Sequence, residues 1–235
     1  MTGLRYVYAI CRPFGAPLQA QLTGVAGAPP RRLVHRGLVA VFSEVPESDF
    51  AEAQLRARLE DPDWLTATAR AHQGVVDALT VVTTPLPLRP GTVFRDDSGV
   101  RTMIEEREHV LNRTLDRLEG RVEWRVRVYA DTGAEQDAGP GENARRKAEQ
   151  FAGRLHAELS GYAEDSRTDP LWSGVPSGEP EASGHRVLHA SYLVPRTRCE
   201  EFVEAVDRTK GEDPETRVEL TGPWAAYSFV EDEYE

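Results

Sequence analysis

Ten residues in the middle of the chain, "RVEWRVRVYA" from Arg121 to Ala130, alternate without interruption. Val122, Trp124, Val126 and Val128 point one way, and Arg121, Glu123, Arg125, Arg127 and Tyr129 the other. This is the period-two pattern of a β-strand in a sheet covered on one side. Such a strand must bury its Val/Trp face, and the residues that follow supply the cover. After the polar, Gly/Pro-rich "DTGAEQDAGPGEN", Ala148, Phe151, Ala152, Leu155, Leu159 and Tyr162 recur on one helical face. "SRTDPLWSGVPSGEPEASG" reads as a long loop, and "RVLHASYLV" as a second strand ended by Pro195. Thr197 with Glu200 matches a capping box, and Cys199, Phe202, Val203 and Val206 form the inner face of the helix after it. Val218 and Leu220 then alternate with Arg217 and Glu219 in a closing strand. Residues 120–222 therefore spell a ferredoxin-like α+β unit. The three arginines of the central strand suit either an anion-binding face or a solvated sheet face with Glu123 as internal partner, and the second needs no ligand.

The first 119 residues make a separate α+β unit. "LRYVYAIC" is apolar on nearly every position, so it reads as a strand buried on both faces. Pro13 and Gly15 end it, and a short helix is expected over Ala16–Leu22. Arg36-Gly37 between two β-rich runs predicts a hairpin. Asp61 and Pro62 suit the cap and first turn of a long helix whose stripe is Leu65, Ala69, His72, Val76 and Leu79. "TVVTTPLPLRPGTVF" is an edge strand and a loop stiffened by Pro85, Pro87 and Pro90. A helix over Val100–Leu118 carries Val100, Met103, Ile104, Val110, Leu111, Leu115 and Leu118, with Arg107 inside the stripe and Gly120 closing it. The fold class is thus α+β, two units of antiparallel or mixed sheet with packed helices, the first resembling a split βαβ layout.

Function classes fall away next. A net charge of -11, from 39 acidic against 28 basic residues, argues against a nucleic-acid surface. Cys11 and Cys199 make neither a disulfide framework nor a metal knuckle. No stretch approaches the ~20 apolar residues of a membrane span, and a cytoplasmic protein is expected. There is no P-loop, dinucleotide fingerprint, nucleophile elbow or HExxH. Asp96-Asp97 suits a turn and helix cap better than a cation site. His185 and His189 share a strand face without a third ligand, and His72 fits a core histidine bonded to a backbone carbonyl. No residue is nominated as catalytic, cofactor-binding or metal-ligating, and no enzymatic activity is expected.

What remains is a contact surface. "VELTGPWAAYSFV" places Trp224, Tyr227 and Phe229 within six positions, ahead of the acidic Glu231, Asp232, Glu233 and Glu235. Gly222-Pro223 is expected to break the strand, and residues 223–235 to run extended and dock back on the first unit, locking the two halves together. The rival reading leaves the rings exposed as a partner contact. Arg89, on the stiff loop, is presented at low entropic cost either to a carboxylate of this chain, the favoured reading because Asp and Glu outnumber Arg, or to a partner. The candidate partner-binding residues are accordingly Arg89, Phe94, Trp224, Tyr227 and Phe229.

Taken in order, "RYVYAI", "DPDWLTATARAHQGVVDAL", "PLPLRPGTVF", "VEWRVRVY", "SYLVPRTRCEEFVEAV" and "ELTGPWAAYSFV" resemble the gas vesicle protein F/L family (GvpL/GvpF) from Arg5 to Val230. Pro90 stands where the family pattern has an aromatic residue, and residues 165–184 match nothing in it. The resemblance implies an accessory protein of gas vesicle assembly that binds the small hydrophobic shell protein (GvpA-like) and other gas vesicle accessory proteins. It also implies no enzymatic activity and no cofactor, nucleic acid or membrane. The alternatives are a small-molecule sensor or enzyme on the same scaffold, told by a deep polar pocket around His72 and Arg107, and a stoichiometric vesicle component.

Overall fold

The structure, a computed structural model of the chain, describes residues 3–18, 21–58, 60–130, 142–168, 185–212 and 215–230. They fall into two units, residues 1–119 with 225–235 and residues 120–224.

The first unit is built around β1 (Leu4–Cys11), in which only Arg5 is not buried. It pairs with β3 (Leu38–Val45), which forms a hairpin with β2 (Arg31–His35). At the hairpin tip Arg36 and Gly37 take φ of 48° and 71°, the left-handed pair of a two-residue turn matching strand twist. Two short helices, α1 (Glu47–Phe50) and α2 (Glu52–Arg58), precede α3 (Pro62–Val82). Asp61 caps α3 by accepting from the amides of Asp63 and Trp64, and Pro62 occupies its first turn. β4 (Leu86–Pro87) and β5 (Val93–Phe94) then pair in succession along β1. The sheet order is β2-β3-β1-β4, all pairings antiparallel, so β3, α3 and β4 form a split βαβ with β1 in the gap. Tyr6, Tyr8, Val39, Val41, Val75, Val76 and Leu79 share one core with Ala225. Beyond β5 come α4 (Asp97–Glu106) and α5 (Glu108–Leu118), near β2 and β5 and near β4 respectively.

The helix expected over Ala16–Leu22 is absent among its described residues, 16–18 and 21–22; a 3-10 turn at Val25–Gly27 follows instead. Pro17 removes a donor and disfavours the helical conformation of Ala16. The helix expected as one piece from Val100 to Leu118 is two, because Arg107 leaves helical geometry at φ -114°, ψ 12°. Asp96 caps α4 through the amide of Gly99, and Gly120 takes φ 70° just past α5.

The second unit runs β6 (Arg121–Ala130), α6 (Glu142–Ser160), β7 (Asp165–Thr168), β8 (His185–Pro195), α7 (Cys199–Thr209) and β9 (Thr216–Trp224). The strand order β7-β8-β6-β9, antiparallel throughout, is that of a ferredoxin-like βαββαβ unit. Val126, Val128, Tyr192 and Val194 meet Phe151, Leu155, Phe202 and Val206 on the helix side. Cys199 is a packing residue, its sulfur accepting from the indole N–H of Trp124 at 3.4 Å.

Four sequence expectations need correcting in this unit. β7 lies inside the expected loop; its four polar residues show no alternation, because an edge strand needs only one neighbour. The Thr197–Glu200 capping box does not form, since residues 196–198 make a 3-10 turn and α7 starts without a side-chain cap. β9 does not break at Gly222-Pro223 but continues to Trp224 through a bulge opposite Glu123–Arg125, where an edge strand tolerates proline. On the arginine-bearing face of β6 Glu123 is the internal partner expected, its carboxylate 2.6 Å from Arg125 Nε, but it is fully buried, between Leu193 and Trp224 in the ladder, rather than solvated.

Candidate functional site

The loop between β4 and β5 is welded to β1. The amide of Leu88 donates to the Tyr8 carbonyl at 2.8 Å, and that of Val7 to the Thr92 carbonyl at 2.9 Å. Thr92 donates twice to the Arg89 carbonyl, from its amide at 3.2 Å and its hydroxyl at 2.7 Å. The amide of Gly91 donates to the Tyr6 hydroxyl at 3.1 Å, and that hydroxyl lies 3.1 Å from His72 Nδ1. Tyr8 completes the buried network by donating to Ser43 and accepting from the amide of Val25. Pro90 within the loop, Pro87 at its start and this set of bonds leave it little freedom.

His72 is therefore structural. Rings of Tyr6, Tyr8 and Tyr227 surround it, and burial pushes its pKa down to about 4, partly opposed by its hydrogen bond with the Leu88 backbone. Burial likewise raises the Tyr6 and Tyr8 hydroxyls, and it raises the Cys11 thiol to about 12. None of these groups is poised for proton transfer at neutral pH.

The loop forms one wall of a cleft of about 400 Å³, and α4 forms the other. Leu88, Phe94 and Met103 give it an apolar floor. Thr92 and Thr102 add hydroxyls, and Arg89, Glu106 and Arg107 add charge. Of the candidates read from the sequence, the structure brings Arg89 and Phe94 together here, Arg89 exposed and Phe94 half-buried on β5. The others lie elsewhere. Tyr227 and Phe229 occupy a 3-10 turn rather than an extended segment. Phe229 is fully buried and Tyr227 packs on the core of the first unit, while the Phe229 carbonyl accepts from Arg117 at 3.0 Å. Trp224 ends β9 in the second unit. Residues 231–235 lie outside the described ones. Met103, Glu106 and Thr102 were not nominated from sequence; the available signal was Arg107, a charge inside an apolar stripe at the point where the helix breaks. Arg107 lines this cleft and His72 does not. Among the described residues no three His, Cys, Asp or Glu cluster as metal ligands.

Residues 4–140 and 136–231 match the family described as "Gas vesicle synthesis protein GvpL/GvpF". The chain belongs to the GvpL/GvpF family. It is 47% identical to gas vesicle protein L of Streptomyces sp. (strain CB03234), over 97% of this chain and 92% of that protein. To gas vesicle protein F of the same organism it is 30% identical, over 96% and 99%. Relatives in the family are named for gas vesicles and not for a catalytic activity. The crystal structure of GvpF from Anabaena sp. PCC7120 superposes with a TM-score of 0.71 at 20% identity, covering 98% of this chain and 97% of that one. GvpF from Microcystis aeruginosa gives 0.70 at 17%, covering 98% and 100%. The two-unit α+β architecture is thus that of GvpF. Among the described residues no helix is long and apolar enough to cross a membrane.

Proposed function

We propose that this chain is a non-enzymatic gas vesicle assembly factor that acts in the cytoplasm at forming vesicles and binds the small hydrophobic shell protein, with Arg89 and Phe94 on the contact surface. Membership of the GvpL/GvpF family is the observation that carries the reading. Physical chemistry supports it. A subunit destined to face gas exposes apolar surface before assembly, and such surface aggregates unless a soluble partner covers it. The cleft supports it too, since an apolar floor inside a charged rim is the anatomy of a protein contact.

Co-expression of the full chain with the shell protein tests the proposal. The shell protein should stay in the soluble fraction and co-purify with the chain; a shell protein that aggregates equally with and without it would overturn the reading. Washed vesicles should retain the chain in trace amounts.

A further inference from the structure

We propose that the outer edge of β2 accepts an extended segment of a partner protein as an added strand, one in which acidic residues stand two positions to either side of an apolar residue. This surface is separate from the one that holds Arg89 and Phe94, and it stands or falls without that reading.

β2 ends the sheet order β2-β3-β1-β4, so a strand lies on one side of it only. The turn at Arg36-Gly37 fixes which of its main-chain groups are engaged. His35 and Leu38 flank that turn and exchange both ladder bonds, and the alternation of an antiparallel pair then turns Leu33 and Arg31 towards β3 as well. The amides and carbonyls of Arg32 and Val34 point the other way, and among the described residues no hydrogen bond reaches them.

The two faces of this edge differ. His35 Nε2 lies 2.7 Å from Glu105 of α4, and Leu33, on the same face, is buried, so α4 covers that side. On the other face Arg32 and Val34 stand opposite Val41 and Val39, both members of the core, yet Val34 is 64% exposed. The apolar face therefore runs to the rim of the sheet and stops uncovered at Val34. A strand laid along the edge bonds to Arg32 and Val34 and brings an apolar side chain beside Val34.

Charge selects the occupant. "RRLVHR", residues 31–36, holds three arginines and no acidic residue in a chain of net charge -11. Arg31 is paired with Glu44. Arg32 meets the carbonyl and the ring of Phe14, neither of which carries a charge, and Arg36 is exposed without an ion pair among the described residues. Two uncompensated positive charges thus flank Val34, each two positions away. They oppose self-pairing, because the β2 of a second copy would bring the same charges alongside. They favour carboxylates at the matching positions of another strand. A protein segment is the occupant rather than another polyanion, since only an extended backbone supplies the alternating donors and acceptors that Arg32 and Val34 require.

The full chain and a short peptide of the pattern Glu-Thr-Val-Thr-Glu test this. The pattern reads the same in both directions, so either strand orientation is served. Hydrogen exchange followed by nuclear magnetic resonance should slow at the amides of Arg32 and Val34 on binding, and stay unchanged at Arg31, Leu33 and His35. Binding should weaken about tenfold or more when Lys replaces both Glu of the peptide, when its main chain is N-methylated, or when the protein carries Arg32→Glu with Arg36→Glu. Arg36→Glu alone, at the exposed hairpin tip, leaves the Arg32–Phe14 contact in place and should still weaken binding. An acidic peptide that does not bind, Lys or N-methylated peptides that bind equally, or binding that leaves the Arg32 and Val34 amides unprotected would each overturn the proposal. Protection of those amides that grows with protein concentration in the absence of peptide would assign the edge to a second copy, and would also overturn it.

Discussion

His72 is the charged-type residue on the buried stripe of α3, and its surroundings explain why a polar ring is tolerated there. It meets the Tyr6 hydroxyl, which also accepts from the amide of Gly91, so one phenol serves a buried imidazole nitrogen and a half-buried backbone amide. Replacing Tyr6 by Phe should therefore cost about 1–3 kcal/mol in a denaturant titration, more than the lost oxygen's contacts alone. The ring also sets a pH response. Its pKa falls from the ordinary 6.5 to about 4 on burial, so between those values the unfolded chain takes up a proton that the native ring does not. Stability carried by the neutral ring is complete above about pH 6.5 and is lost as pH falls towards 4. Melting at about pH 7 and about pH 5 should show a larger loss for the native chain than for His72→Gln; equal losses would assign the titration elsewhere. The blander reading of His72 was legible from its apolar stripe, but its tyrosine partner, 66 positions away, was not.

At the scale of elements, the strands and helices with a clear period were legible and the irregular ones were not. β6, α3 and the Arg36-Gly37 hairpin follow from alternation, capping and turn chemistry, all local signals. β7 has four polar residues and owes its pairing to β8 alone. The break at Arg107 was hidden because apolar residues on both sides continue one stripe. The bulge in β9 was misread because Gly222-Pro223 signals a turn wherever no neighbouring strand is known. Gly222 is required there for two reasons. It takes φ 135°, and a Cβ on it would lie 2.8 Å from the Trp124 ring and 2.9 Å from the Glu123 carbonyl oxygen. Gly222→Ala should destabilise the chain by about 2 kcal/mol or more. Gly153→Ala is the control, because that position is exposed within α6 with open space around its Cβ. It should stabilise by about 0.5–1 kcal/mol. Chemical denaturation of the two variants checks both signs.

For the whole molecule, the informative fact is that the units are unequal in how the chain builds them. Residues 120–224 are one continuous stretch, with both helices packed on one sheet face. Residues 1–119 draw on the far end of the chain, since Ala225 is part of their core, Tyr227 packs on it and Phe229 is fully buried beside Arg117. Burial of a whole Phe side chain makes Phe229→Ala a loss of about 3–5 kcal/mol, comparable to the net stability of many domains. The same arithmetic separates two fragments. The stretch 120–224 expressed alone should melt cooperatively with native-like near-ultraviolet circular dichroism. The stretch 1–119 alone should not, and should regain a cooperative transition when residues 225–235 are joined to it through a flexible Gly/Ser linker. Conversely, a 1–119 fragment that melts as sharply without the C-terminal residues as with them would show that the aromatic segment is not needed to complete the first core, and would return Tyr227 and Phe229 to the list of residues available to a partner.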